Sequence, residues 1–286
     1  MLPEPWIWDE AEGGERVRRE LAAQGWSRFH APEMLALSER PSALAQQLFG
    51  WRPLRLHRQQ ITPDRENPVD RRYWRSKLEA KLHTDGPRFG IPPSALFMFC
   101  EHPPAEGGDV ELLDLWPLIE QIRVAEPDLF QQLFHAPRHT RFAEASHWGP
   151  TVSLRRGHLV ALHPSYEEQG DETGARFRAW VTKAEPVRFR PRAGDVYVIN
   201  NHRCLHGRLA FEDLTRVFTR VMFWFVEPFA FPPAFREAAE AASRALGARL
   251  AEAPPWIRRR FGVDIPPVRP EALARLRRAL DLLADP

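Results

Sequence analysis

The chain has 286 residues, with 40 lysines and arginines against 38 aspartates and glutamates and a hydrophobic content of 43%, the profile of an ordinary globular protein. A net charge of +2 supplies no field for a polyanion, so nucleic acid is not an expected partner, and no run approaches the ~20 apolar residues of a membrane span. Cys100 and Cys204 form neither a CxxC pair nor a disulfide framework, and no basic segment precedes an apolar stretch at the N-terminus, so the expected location is the cytoplasm.

Residues 14–24 show helical spacing of Val17, Leu21 and Ala22 and stop at Gly25, a residue suited to a helix C-terminus. WSRFHAP then reads as a short strand and 41–49 as a second helix. The stretch 52–75 is charged, proline-bearing and aperiodic and reads as a long loop; it and the turn-rich 147–166 are expected to act as lids that order on substrate binding. SALFMFC and VELLDL, at 94–100 and 110–115, read as strands joined by the turn-rich EHPPAEGGD. Residues 117–134 read as one amphipathic helix with Leu118, Ile119, Ile122, Leu129, Leu133 and Phe134 on its apolar side. Short strands are expected at 138–142, 152–154, 159–162, 177–181 and 187–190, then at 193–200, where Gly194 and Asp195 make the leading turn. From Pro232 the pattern becomes helical, at 234–250, 255–261 and 270–284. Many short strands with turn signals predict a mainly β sandwich or barrel with flanking helices. We expect a single domain overall: a body at 1–231 and a helical C-terminal extension at 232–286, packed on that body or forming a homo-oligomer contact.

The chemistry concentrates in two stretches. In LHTDG at 82–86, His83 and Asp85 stand at i and i+2, which on an extended strand puts both side chains on one face. His206 brings a second imidazole from far along the chain. Two histidines and one carboxylate on one face of an octahedron leave three positions open, as in non-haem Fe(II) oxygenases. His83, Asp85 and His206 are therefore the candidate metal ligands and catalytic centre. After His206, TRVFTRVMFWF at 215–225 is rich in β-branched and aromatic residues and reads as a strand. Arg216 and Arg220 lie four apart and share one of its faces, and an inward guanidinium suits the grip of a carboxylate.

A lone HxD is a weak signal; its agreement in order and spacing with GDxxxxxNxRxxHGR and RxxxR is not. The set resembles the Fe(II)/2-oxoglutarate dioxygenases of the taurine dioxygenase and clavaminate synthase-like group, over roughly residues 24–228. The resemblance implies a double-stranded β-helix, the cupin-type jelly roll, with Fe(II) as metal and 2-oxoglutarate and O2 as co-substrates. It implies hydroxylation of an unactivated C–H bond in a small polar metabolite, amino-acid-like or another carboxylate or sulfonate, with release of succinate and CO2. It further implies that Arg216 anchors the distal carboxylate of 2-oxoglutarate and that Arg220 faces the prime substrate, although Arg220 also stands at an acceptable distance from His206. Asp85 fills the position at which related halogenases carry a small residue, which disfavours halogenation. One departure stands out: GGD at 107–109 is followed by Val110, where the group usually has a threonine that assists the arginine.

Two other readings remain at this stage. One is a cupin-type oxygenase or hydrolase that does not use 2-oxoglutarate; the other is a catalytically silent binding protein on the same fold. The RxxxR pair speaks against the first and the intact triad against the second. His202 is expected to shape the turn before His206, and Cys204 to be a buried thiol. Arg208 either contacts substrate or closes the turn through backbone carbonyls.

Overall fold

One strand sets the architecture by alternation. Phe218, Arg220, Met222 and Trp224 lie on one side and Thr219, Val221 and Phe223 on the other, and both sides are buried. A strand covered on both faces requires a layer of structure above and below it.

The computed structural model describes residues 4–69, 73–87, 89, 91–142, 145–164, 171–249 and 251. In chain order it runs β1 (Trp6–Ile7), α1 (Gly13–Gln24), β2 (Trp26–His30), α2 (Met34–Leu37), α3 (Pro41–Phe49), β3 (Arg55–Ile61), a 3-10 turn (Tyr73–Arg75), β4 (Ala80–His83), β5 (Ala95–His102) and β6 (Val110–Asp114). There follow α4 (Leu115–Ala125), α5 (Pro127–His135), β7 (Arg138–Phe142), β8 (Ala145–Gly149), β9 (Val152–Arg155), β10 (His158–Ala161), α6 (Glu172–Lys183), β11 (Val187–Phe189), β12 (Asp195–Asn200), β13 (Cys204–Arg208), β14 (Val217–Trp224) and α7 (Pro233–Arg249).

The six-stranded sheet has the order β1-β2-β12-β5-β14-β3 and the four-stranded sheet the order β11-β6-β13-β4. Apart from the parallel β1–β2 pair, every pairing is antiparallel. The sheets face each other across Leu96, Met98, Tyr197, Phe218 and Met222 on one side and Val110, Leu112 and Cys204 on the other. This is the double-stranded β-helix. The outer face of the larger sheet (Phe29, Phe97, Val198, Phe223) is covered by Val17 and Leu21 of α1 and Leu44 and Leu48 of α3. The outer face of the smaller sheet (Leu113, Leu205) is covered by α4, α5, α6 and α7. Phe235 of α7 packs against Trp116, Phe130 and Phe134, so the described part of the C-terminal extension belongs to the core. No helix among the described residues is long and apolar enough to cross a membrane.

Several expectations change. Residues 52–75 are not loop throughout: Arg55–Ile61 is β3, the edge of the larger sheet. Its RLHRQQI sequence hides the strand because an edge strand is half solvated and carries charge, which also protects it from stray pairing. Residues 62–69 do not stand away from the body either. Asp64 N–H donates to the Arg75 carbonyl at 2.7 Å, Arg75 Nη2 donates to Asp64 Oδ2 at 2.6 Å, and Lys77 N–H donates to the Pro68 carbonyl at 2.8 Å. Residues 147–164 hold the end of β8 and the β9–β10 hairpin, with strands where they were expected at 152–154 and 159–162.

The helix read over 117–134 is two helices divided at Glu126, because Pro127 cannot accept a continuing helix and forces its predecessor out of the helical region. The strand read at 177–181 is α6. FRAWV alternates over five residues, but Gly174, Phe177 and Val181 are buried at helical spacing, and Asp171 caps the start by accepting from Gly174 N–H at 2.8 Å. Asp171 also accepts from Arg138 Nε at 2.9 Å. Asp171→Ala is expected to lower the unfolding free energy by about 1–2 kcal/mol, measurable as a shifted urea midpoint. The helices expected at 255–261 and 270–284 lie outside the described residues.

Candidate metal centre

The triad assembles through strand register. β13 runs antiparallel to β4 with His206 directly opposite His83, and the two rings lie 4.4 Å apart between centroids. The pairing shifts between His206 and Arg208. It needs glycine between them, since a Cβ at Gly207 would come within 2.8 Å of the Ala80 carbonyl oxygen. His83 is the last residue of β4, so Asp85 sits in the turn beyond it and not on the strand. Their convergence is therefore made by that turn, not by strand alternation. His83 Nε2 lies 3.6 Å from Asp85 Oδ1 and His206 Nε2 lies 3.6 Å from Asp85 Oδ2. One donor atom from each residue falls within 4.8 Å of the others. A carbonyl can only accept, so the 2.7 Å bond between His83 Nδ1 and the Lys81 carbonyl puts the proton on Nδ1 and leaves the Nε2 lone pair toward Asp85. Two imidazole nitrogens and a carboxylate in this arrangement fit a divalent first-row metal.

The turn that carries Asp85 is held from two sides. Thr84 N–H donates to the His163 carbonyl at 3.0 Å, and its hydroxyl bonds the Ala161 carbonyl at 3.2 Å. Asn201 does more: its Oδ1 accepts from Asp85 N–H at 2.9 Å, and its Nδ2 donates to the carbonyls of Asp85 at 3.0 Å and Pro93 at 2.9 Å. The sequence pattern contained this asparagine without revealing its partner. Arg203, in the same pattern, grips Asp114 through Nε at 2.8 Å and Nη2 at 2.6 Å. It also donates to the carbonyls of Ala22 and Ala23, each at 2.8 Å. It thereby closes the C-terminal end of α1 and fixes the start of β13.

Electrostatics keep Asp85 and His206 in forms that can bind a metal. Burial alone would raise the Asp85 carboxyl, but the Arg220 guanidinium, and after it the neighbouring His206 and His83, outweigh it and hold Asp85 well below the usual carboxylate range. Burial, and then the neighbouring His83, lower His206, so its imidazole is neutral with a lone pair to give.

Both arginines are buried, and they occupy different places. Arg220 lies on the inner side of β14; its Nη1 donates to Asp85 Oδ2 and its Nη2 to Gln59 Oε1 at 2.8 Å, while its Nε has no hydrogen-bond partner. Arg216 precedes a register shift at Val217 and Phe218 and stacks over the Phe218 ring at 4.1 Å. Its Nε is buried without a partner, and no acid among the described residues pairs with it. Burial lowers its pKa from the ordinary arginine value. Val110 lies in the same apolar interior as Phe218.

The remaining candidates have structural partners. Arg208 donates to the carbonyls of Leu209 at 2.9 Å, Ser76 at 3.0 Å and Leu78 at 2.6 Å, so it closes the turn. Burial pushes the Cys204 thiol far up, which leaves it unreactive. His202 Nε2 bonds the Pro92 carbonyl at 2.9 Å, and its ring meets His158 edge-on at 5.2 Å. Burial lowers His202 to about 3 and His158 to about 4. In the unfolded chain both take up protons near 6.5, so the unfolded state binds more protons below that value. Their contribution to stability is complete above about pH 6.5 and is lost as pH falls toward 4. Denaturation midpoints measured from pH 7.5 to 4.5 should fall over that window, with a flatter profile in His202→Asn.

The family model described as Taurine catabolism dioxygenase TauD, TfdA family matches residues 8–222. Solved structures of similar shape include an asparagine oxygenase in complex with Fe(II), 2S,3S-3-hydroxyasparagine and succinate, at 12% identity and TM-score 0.54 over 74% of this chain and 78% of that one. The non-haem iron oxygenase OrfP in complex with Fe and α-ketoglutaric acid matches at 19% identity and TM-score 0.53, over 75% and 80%. A taurine dioxygenase from Burkholderia xenovorans matches at 19% identity and TM-score 0.52, over 76% and 83%. At these identities the likeness is one of fold.

Proposed function

Because this chain belongs to the taurine catabolism dioxygenase TauD, TfdA family, we propose that it is an Fe(II)- and 2-oxoglutarate-dependent oxygenase that hydroxylates an unactivated C–H bond of a small polar metabolite. The substrate class is amino-acid-like, or another carboxylate or sulfonate, and succinate and CO2 leave as co-products. His83, Asp85 and His206 would hold the iron, which when bound together with 2-oxoglutarate supplies the activation of O2.

The observation that carries the reading is Arg216. A guanidinium buried between two sheets with no acid among the described residues is costly unless an anion meets it. A dicarboxylate with one end at the triad and the other at Arg216 supplies that anion, and a hydrolase or simple cupin oxygenase would have no use for such a residue. Arg220 is already engaged with Asp85, a metal ligand, and keeps its Nε unpartnered. That placement favours an anionic group on the prime substrate. The apolar walls at Leu112, Phe218 and Met222 keep water from the reacting C–H bond. Val110 offers no hydroxyl to a carboxylate, which concentrates the grip on Arg216.

Anaerobic addition of Fe(II) and 2-oxoglutarate should produce a weak visible charge-transfer band. Incubation with pools of amino acids, sulfonates and carboxylates, scored by succinate release, then identifies the substrate. Protein that binds Fe(II) yet gives no band and no succinate with any pool would end the 2-oxoglutarate reading.

A further inference from the structure

The edge strand β3 reaches the metal centre. Its pairing with β14 sets Gln59 opposite Arg220, between the pairs His57–Met222 and Ile61–Phe218. Opposed residues on paired strands share a face, so this solvated strand sends alternate side chains to the side of β14 that carries Arg220. There Gln59 Oε1 accepts from Arg220 Nη2 at 2.8 Å, while Arg220 Nη1 donates to Asp85 Oδ2. One guanidinium thus bridges an amide on the sheet edge and a carboxylate of the candidate metal site. Arg220 is 8% exposed and Asp85 is 4% exposed, so solvent screens their contact little.

We infer that Gln59 is a positioning residue for the metal centre: by holding Arg220 from the β3 side, it sets how far the guanidinium leans on Asp85, and thereby tunes the affinity of the His83, Asp85 and His206 site for a divalent cation. The inference rests on the reading of those three residues as the metal site. Its physical basis is competition. A guanidinium on Asp85 Oδ2 occupies a lone pair that a cation would take and repels the cation as well. The amide carbonyl of Gln59 draws one arm of Arg220 the other way. Without that acceptor, Arg220 has Asp85 as its remaining strong partner and settles on it more fully. With a carboxylate at position 59, the guanidinium shifts toward β3 and releases Asp85.

The two substitutions therefore act with opposite signs, which a merely structural residue would not do. Mn(II) titration of the full chain, followed by electron paramagnetic resonance, reads the affinity without turnover. Gln59→Leu should weaken Mn(II) binding and Gln59→Glu should strengthen it, each by about tenfold, the scale of one charge-assisted hydrogen bond. In an Arg220→Gln background the Gln59→Leu effect should vanish, and the Gln59→Glu effect should shrink to the direct attraction of the added charge. Shifts of the same sign in the two variants would overturn the inference, as would a Gln59→Leu loss that persists without Arg220. Failure of the underlying metal-site reading looks different: wild-type protein would bind no stoichiometric Mn(II), or would lose none on His206→Ala, and that outcome removes the inference with it.

Discussion

His206→Ala is expected to abolish both the visible band given anaerobically by Fe(II) with 2-oxoglutarate and all succinate formation. The expectation follows from the small number of donors. The site offers two imidazole nitrogens and one carboxylate within 4.8 Å of one another, and no other histidine, cysteine, aspartate or glutamate joins a candidate metal cluster among the described residues. Removing one of three ligands leaves a bidentate site that water outcompetes, so no partial activity is expected. Asp85→Ala should do the same and more, because it also strips the Arg220 guanidinium of its carboxylate and leaves a buried unpaired charge. Of the two, His206→Ala is the cleaner test. A band that persisted at full strength in it would move the metal elsewhere.

The candidate ligands were legible in the sequence because they rest on residue types in a fixed order, and the chain needs no geometry to display them. Their convergence was legible for a reason that proved incomplete. Strand alternation was expected to bring Asp85 beside His83, yet Asp85 lies past the strand end, and the turn that returns it is held by the side chain of Asn201, 116 residues further along the chain. Such a contact leaves no periodic trace. Gly207 is similar: the HGR motif shows that a glycine stands there, and only the approach of β4 shows why. β3 was invisible because hydrophobic alternation marks strands with one dry face, and an edge strand bearing Arg55, His57 and Arg58 has little of it. With β3 hidden, so was Gln59, the residue that reaches Arg220. α6 failed in the opposite direction, since a five-residue window matched strand alternation while the cap at Asp171 lay outside it. The sequence placed Arg216 and Arg220 on one face but could not separate them, because what separates them is Asp85, which touches one and not the other.

That separation makes the second large effect specific. Arg216→Ala is expected to raise the KM for 2-oxoglutarate by about tenfold to a hundredfold, the loss of roughly 1.5–3 kcal/mol carried by a hydrogen bond to a charged group. Arg220→Ala should act mainly on the prime substrate and on the coupling of 2-oxoglutarate consumption to hydroxylation. A second measurement tests the same point without turnover. Arg216 is 5% exposed, and no acid among the described residues pairs with it, so in ligand-free protein its charge opposes folding. Arg216→Met should therefore melt no lower than wild type. A ligand stabilises a fold in proportion to its affinity for the native state, so wild type should gain melting temperature when 2-oxoglutarate is added to the Mn(II) form. Arg216→Met should lose most of that gain. If Arg220→Ala alone raised the KM and erased the thermal gain, the two arginines would exchange roles. If neither substitution did so, the buried guanidiniums would serve some other anion, and the 2-oxoglutarate reading would fall while the metal site stood.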